Sequence, residues 1–448
     1  MLSQSEWRSR PLLVGCLALI LGMLSGFEPW LALAVIPLAI LVWDLKAGSI
    51  AIFCGLIGFW LRPIPQTPLG ESELFYGEVT VTSVPRTLPR AILAEADSDL
   101  GRIVLRLAPH VDVSLGDMLL VQGGSRSPRP HQRRSGFVGE VRSAMTPETL
   151  KRGPPIWRWG GVIRKSFEGF LAASLPERQA PLVDALCFGV TTGMSDEDLE
   201  LIRASGGAHL IAASGANVVF LLGMVWALVR WVPLPLWVRA PLLALVLIVY
   251  AGAAGLNPPI TRAVIMALIM GGAILAEREP DLLNALAGAG IVGLLLNPWE
   301  VISPSFWLSF AAVIGLILFA PAHRSLLVSG FIASLAASIA TAPLVGYWFG
   351  SIPLVGILVT LLTGPLALIL MGFSLASWLV WLAIPALGPL LGVVCEGMAS
   401  WMLLVFVQFG GPWSLSLTVP EFSPWWLGPF YILGILMAPG TKEREGRG

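Results

Sequence analysis

The 448-residue chain is 56% apolar before its 48 glycines are counted, and only 12% charged; a soluble globular protein runs at about 45–50% apolar with glycine included and about 25% charged. With 28 basic and 28 acidic residues it carries no formal net charge, and its mean hydropathy is +0.79. That balance excludes a cytosolic enzyme, a disordered chain and a collagen, leaves a polytopic membrane protein, and gives no global basic field to recruit nucleic acid.

Lysine occurs only at Lys46, Lys151, Lys165 and Lys442, so 24 of the basic residues are arginine. Arginine's planar fork suits phosphate; a GC-rich genome gives the same bias. Cys16, Cys54, Cys187 and Cys395 lie in apolar segments at unrelated spacings. They read as buried small hydrophobes, with neither a disulfide framework nor a metal pattern.

Three apolar runs come first, Pro11–Phe27, Trp30–Trp43 and Ala47–Leu61, each slightly short of the ~20 residues of a comfortable span and extended by flanking tryptophans. Arg8 and Arg10 precede the first, which is read as an uncleaved span because two more runs follow with almost no linker. Residues 1–62 thus form an N-terminal region of three spans. From 63 to 155 charges become frequent and apolar residues alternate: Glu78–Thr82, Ala91–Ala94, Arg102–Leu107, Met118–Gln122 and Phe137–Arg142 predict five strands and a small extracytoplasmic OB-like β-barrel. The stretch 123–135 holds Arg126, Arg129, Arg133 and Arg134 with His131 and no acid. It reads either as a nucleic-acid contact of a barrel loop or as a solvated loop.

Over 156–175 the spacing turns helical, with Ile156, Trp159, Ile163, Phe167 and Phe170 on one face, which predicts an amphipathic helix on the membrane surface. A second membrane region spans 176–440, with crossings near 209–230, 240–255, 260–276, 282–296, 305–320, 326–348, 364–383, 386–410 and 424–439, about twelve in all with the first three. Segments 181–193 and 352–362 are too short or broken to cross and predict re-entrant or half-helical pieces. Basic residues in short loops (Arg8, Arg10, Lys46, Arg230, Arg239, Arg278, Arg324, Lys442, Arg444 and Arg447) predict both termini, including the 441–448 tail, in the cytoplasm and the β-domain outside.

No glycine precedes a lysine, so a P-loop is excluded. The four histidines form no H-x-H or H-E-x-x-H cluster, and no metal or cofactor is expected. Ser195-x-x-Asp198 opens a short helix through Arg203, which Ser205-Gly206-Gly207 breaks. Next, His209, Ser214 and Asn217 put polar groups at membrane depth. His209 and Ser214 point apart on a continuous helix, so a Ser214 hydrolase requires a break at Ser214-Gly215. Ser214 and Asn217 share a face, either lining a cavity or gluing helices together. At Asn257-Pro258-Pro259-Ile260-Thr261-Arg262 two prolines end one span and start another helix. Free N–H groups, the dipole and Arg262 there favour an anion; the alternative is that Arg262 snorkels to the headgroups. Ser309 is a further polar residue in a span.

These motifs in this order resemble the ComEC family of competence channels. Gly207-Ala208-His209-Leu210-Ile211-Ala212-Ala213-Ser214-Gly215-Ala216-Asn217-Val218 is similar to the family's G-x-x-H-L-L-A-V-S-G-L-H-V, Thr261-Arg262-Ala263 to its R-A before an apolar helix, and Leu308-Ser309-Phe310-Ala311 to its L-S-F-x-A. Leu115-Gly116-Asp117 leading into a strand fits its external domain. The resemblance implies a channel, not an enzyme, passing single-stranded DNA through the inner membrane during transformation. His209, Ser214, Asn217, Asn257, Thr261, Arg262 and Ser309 would line its path. The implied partners are the lipid bilayer, a DNA receptor, a cytoplasmic translocation ATPase and a separate nuclease, with a homo-oligomer left open. Asn217 departs from the pattern, which has a second histidine there. No metallo-β-lactamase-like domain follows the last span, and the external domain lacks the cysteines that pair in some relatives. A transporter for a smaller anion and a membrane-embedded serine hydrolase are the competing readings.

Overall fold

A computed structural model describes residues 10–437 except 26–27, 29–30, 32, 34, 36–44, 63–67, 72, 84, 89–90, 129–131, 133–136, 154, 192, 213 and 320–325. Most of the second expected span, Arg8, Arg324 and the 441–448 tail lie outside these residues, as do Arg129, His131, Arg133 and Arg134. The chain forms two compact units, Met1–Pro65 with Gly272–Leu362 and Ser414–Gly448, and Gln66–Gly271 with Thr363–Trp413.

In chain order, helices α1 (Pro11–Leu24) and α2 (Leu45–Trp60) precede strands β1 (Leu74–Val81), β2 (Arg86–Leu88), β3 (Ala91–Ser98), β4 (Gly101–Leu107), β5 (Met118–Arg126), β6 (Phe137–Ser143) and β7 (Glu148–Lys151). Helices α3 (Pro155–Ser174), α4 (Ala180–Phe188), α5 (Asp196–Ala204), α6 (Ala208–Ile211), α7 (Gly215–Val229), α8 (Leu236–Ala253), α9 (Pro258–Leu275), α10 (Leu282–Leu296), α11 (Pro304–Phe319) and α12 (Leu326–Phe349) follow. Strand β8 (Ser351–Pro353), helices α13 (Gly356–Ala383) and α14 (Gly388–Gly410), strand β9 (Ser416–Thr418) and α15 (Leu427–Met437) complete the chain. Among the described residues, five helices are long and apolar enough to cross a membrane: α8, α9, α12 from Val328, α13 and the stretch Pro385–Gly410 that includes α14. Five more apolar helices, among them α7, α10 and α11, are shorter.

The five expected strands close a barrel. β1 pairs with β3 and β5, β3 with β4, and β5 with β6, all antiparallel, while β4 and β6 pair in parallel. Numbering those five strands alone, the cyclic order is 1-2-3-5-4, an OB-like closure. Alternation fills it: Val79, Val81, Ala94, Ala96, Ile103, Leu105, Leu119, Val121 and Val141 face inward and are buried. The arginine-bearing loop joins the fourth and fifth barrel strands. Of its four arginines only Arg126 is described, exposed at the end of β5. Two short strands, β2 and β7, had no sequence signal; they pair at the edges with β3 and β5.

Asp117 holds the barrel's exit. Fully buried, it accepts from the backbone N–H of Ser114 (2.9 Å) and Gly153 (2.7 Å) and from Arg152 (3.2 Å). Asp117→Ala leaves those buried N–H donors without a partner, so it is expected to destabilise the barrel by about 1–3 kcal/mol. Limited proteolysis of the full chain checks this, with cleavage near Arg152 appearing at lower temperature than in the parent.

Two expectations change. Residues 356–362 are not a broken piece; they are the first two turns of α13, which runs 28 residues with Pro365 inside it, and the chain leaves the helix only over 350–355, where 351–353 pair with 416–418. Helix tolerates the proline because a helix in apolar surroundings keeps its other backbone bonds internal. The second change concerns the face of α3. Phe167 and Phe170 are fully buried, whereas Trp159 is 72% exposed. Gly160 sets the contact side, its bare α-carbon against the Gly252 carbonyl of α8. Ser174, two heptads along the same stripe, meets Gly392 of α14. Trp159, one residue and ~100° round the helix, turns outward.

A broken-helix recess as the candidate functional site

Six of the seven path residues fall in the second unit; Ser309, half-buried on α11, belongs to the first. The six lie where helices stop and restart, and glycine makes the stops. α5 ends with Gly206 left-handed (φ 78°), Gly207 N–H donating to Ile202 and Gly206 N–H to Arg203. α8 ends alike, with Gly255 at φ 75°, Leu256 N–H donating to Ala251 and Gly255 N–H to Gly252. Both are Schellman closures, which need the left-handed residue that glycine supplies at no steric cost. Gly207 is confined for a second reason: any side chain there would strike the Phe406 ring.

The break required at Ser214-Gly215 is present. Ala212 (ψ 121°) and Ser214 (φ −119°, ψ 160°) are extended, so α6 and α7 are separate helices. The break does not join His209 to Ser214. Ser214 Oγ donates to Asn217 Oδ1 at 3.1 Å, an amide oxygen that cannot act as a base. His209 Nδ1 lies 2.9 Å from the Gly206 carbonyl. A carbonyl only accepts, so Nδ1 carries the proton and Nε2 is the acceptor of the neutral ring. The His209 side chain is exposed at the break between α5 and α7.

Asn217 is buried, at 6% exposure, and its Nδ2 donates to the Leu186 carbonyl at 2.8 Å. Tyr250 on α8 donates its hydroxyl to the next carbonyl, Cys187, at 2.6 Å. Leu186 and Cys187 are in the last turn of α4, which stops after nine residues at left-handed Gly189 (φ 73°). The last carbonyls of any helix lack intrahelical donors, and away from water each must find one. Asn217 and Tyr250 supply two. Asn217 therefore works as a capping group, and Tyr250, which the sequence reading passed over, shares the task. Its signal was available: a tyrosine in an apolar run is a ring with one polar atom that needs a partner when buried.

The proline restart at α9 has a different donor count from the one expected. Pro258 and Pro259 carry no N–H, and Thr261 N–H donates to the Asn257 carbonyl at 3.0 Å, so Ile260 is the remaining first-turn donor. Attraction for an anion thus comes from the helix dipole and from Arg262. At 3% exposure the Arg262 side chain is enclosed and does not reach outward as a snorkelling arginine would. The Thr261 hydroxyl oxygen is buried with no hydrogen-bond partner among the described residues. Asn257 is half-buried. The starts of α7 and α9 meet: a methyl group on Gly215 would lie 3.4 Å from the Ala263 side chain. The start of α7 thus abuts the helix that carries the buried Arg262 guanidinium and the unsatisfied Thr261 hydroxyl.

Outside this recess, Ser195 caps α5 as expected, accepting from Asp198 N–H at 3.0 Å. Arg178 bonds both oxygens of Asp198 (2.7 and 3.3 Å); that pairing, which outweighs burial, holds the Asp198 carboxyl below the usual range. Among the described residues no three His, Cys, Asp or Glu side chains are grouped to hold a metal.

Residues 186–442 match the profile of a family described as "Competence protein". The chain is also similar to ComE operon protein 3 of Bacillus subtilis (strain 168), at 28% identity over 207 residues, 45% of this chain and 26% of that protein. The aligned segment thus spans about a quarter of that relative's length. No solved structure matches.

Proposed function

Since the chain belongs to the competence protein family, we propose that it is an inner-membrane channel, or a subunit of one, passing single-stranded DNA into the cytoplasm during natural transformation. A strand crossing ~30 Å of hydrocarbon with one phosphate per ~3.4 Å brings about nine negative charges into the membrane. No lipid-facing path accepts them. A passage lined by helix ends, small residues and few fixed cations lowers that cost without binding so tightly that the strand stalls. The observation that carries the reading is the buried Arg262 in the first turns of α9, the helix whose Ala263 lies against the start of α7 at Gly215.

In this reading the chain crosses about twelve times, with both termini cytoplasmic and the barrel outside, where the loop after Arg126 meets the incoming strand. A DNA receptor, a translocation ATPase and a nuclease activity are its partners in this reading. The test is deletion of the gene in a transformable host, scored for entry of labelled DNA into the cytoplasm. Loss of entry with normal DNA binding at the surface supports the channel; unchanged entry refutes it. The same helix start would serve a smaller anion, and anion uptake by proteoliposomes without DNA would favour that reading. The hydrolase reading gains no support at Ser214, whose hydroxyl donates to the Asn217 amide oxygen.

A further inference from the structure

The one carboxyl inside the α4 turn that Asn217 and Tyr250 cap has no such partner. Asp184 is 8% exposed, and its Oδ1 is buried without a hydrogen bond among the described residues. It sits one turn before Cys187, on a helix whose residues from Leu182 to Phe188 are all buried. An ionised carboxylate in such a place, bare of donors, costs far more than a neutral one. Helix α3, which packs on α4, carries an ion pair, Arg164 bonding Glu168 Oε1 at 2.9 Å. Arg164 is mostly enclosed (12% exposed) while Glu168 is 43% exposed, so Glu168 keeps water whether or not it keeps the arginine. The other titratable or charged groups on elements packed against α4 are Arg158 and Lys165 of α3, Cys395 and Glu396 of α14 and His209 of α6, with Tyr250 of α8 bonded to the Cys187 carbonyl.

We propose that Asp184 is a proton-binding site of the channel unit: the carboxyl holds a proton while Arg164 pairs with Glu168, and Arg164 turns to Asp184 when that proton leaves. No other bond changes. The proton moves between the Asp184 carboxyl and water, and one ion pair is exchanged for another, which repositions α3 on α4. The guanidinium suits this because it stays charged throughout and can fork to either carboxylate.

The test uses the purified full-length protein and does not involve DNA, so it stands or falls separately from the channel reading. Infrared difference spectra over about pH 5–9, the range of a carboxyl raised by burial, are expected to contain the C=O band of a protonated acid that disappears as pH rises. Asp184→Asn, which preserves volume and the neutral state, is expected to remove the band while the protein keeps its unfolding temperature. Arg164→Gln withdraws the partner of the ionised form and is expected to move the band's midpoint up by about one pH unit or more. A parent spectrum without the band, or a band unchanged in Asp184→Asn, overturns the proton site; an unmoved midpoint in Arg164→Gln overturns the exchange.

Discussion

Arg262→Ala is expected to lower entry of labelled DNA into the cytoplasm about 100-fold, with the amount of protein in the membrane unchanged. The residue is enclosed at the restart of α9, and the residue after it, Ala263, lies against Gly215 at the start of α7. In surroundings of low dielectric, a fixed positive charge acts on a passing phosphate several times more strongly than in water. Losing ~2.7 kcal/mol of stabilisation for the charge at that point corresponds to two orders of magnitude in rate. Arg262→Lys keeps the charge but not the planar fork and is expected to fall between the two. Transport assays beside quantitative membrane blots check this. Wild-type entry in Arg262→Ala would place the phosphate path elsewhere.

Asn217→Leu is expected to abolish entry for a different reason. The substitution removes the donor to the Leu186 carbonyl and the acceptor of the Ser214 hydroxyl. Stranding a buried carbonyl costs about 1–3 kcal/mol, enough to loosen the end of α4 and the turn at Gly189. Asn217→His, whose ring N–H can donate to the same carbonyl, is expected to restore most entry. The ComEC pattern has a histidine at this point, so one capping role accounts for both residue types. Protease sensitivity between α4 and α5 measures the local loosening directly: raised in Asn217→Leu, near the parent level in Asn217→His.

What could be read from sequence follows from which physical signals are local. The barrel strands were legible because alternation is a property of neighbouring residues, and the closing order placed Val79, Ile103 and Leu119 in one core. Helix stops at Gly206 and Gly255 and the cap at Ser195 were legible for the same reason, since turn and cap chemistry reside in a few consecutive residues. The partners of Asn217 and Tyr250 were not legible. Their acceptors lie 31 and 63 residues earlier in the chain, and only the fold brings them together. The outward turn of Trp159 was not legible either, since apolar spacing does not report the close approach of the bare Gly160 α-carbon to the Gly252 carbonyl. In a chain this apolar, close backbone approach decides which side packs. Asp184 drew no attention because one acid in an apolar segment has no spacing to betray it. Its interest comes from the missing donor at Oδ1.

The central claim is that the joined starts of α7 and α9 face the moving strand. A photoreactive side chain installed at Asn257, half-buried at that recess, should form a covalent adduct with labelled single-stranded DNA arrested during entry. The same group at Ile248, 50% exposed on α8, should form none. An adduct at 257 with a blank at 248 is the predicted result; no adduct at 257, or equal yields at both positions, contradicts the account.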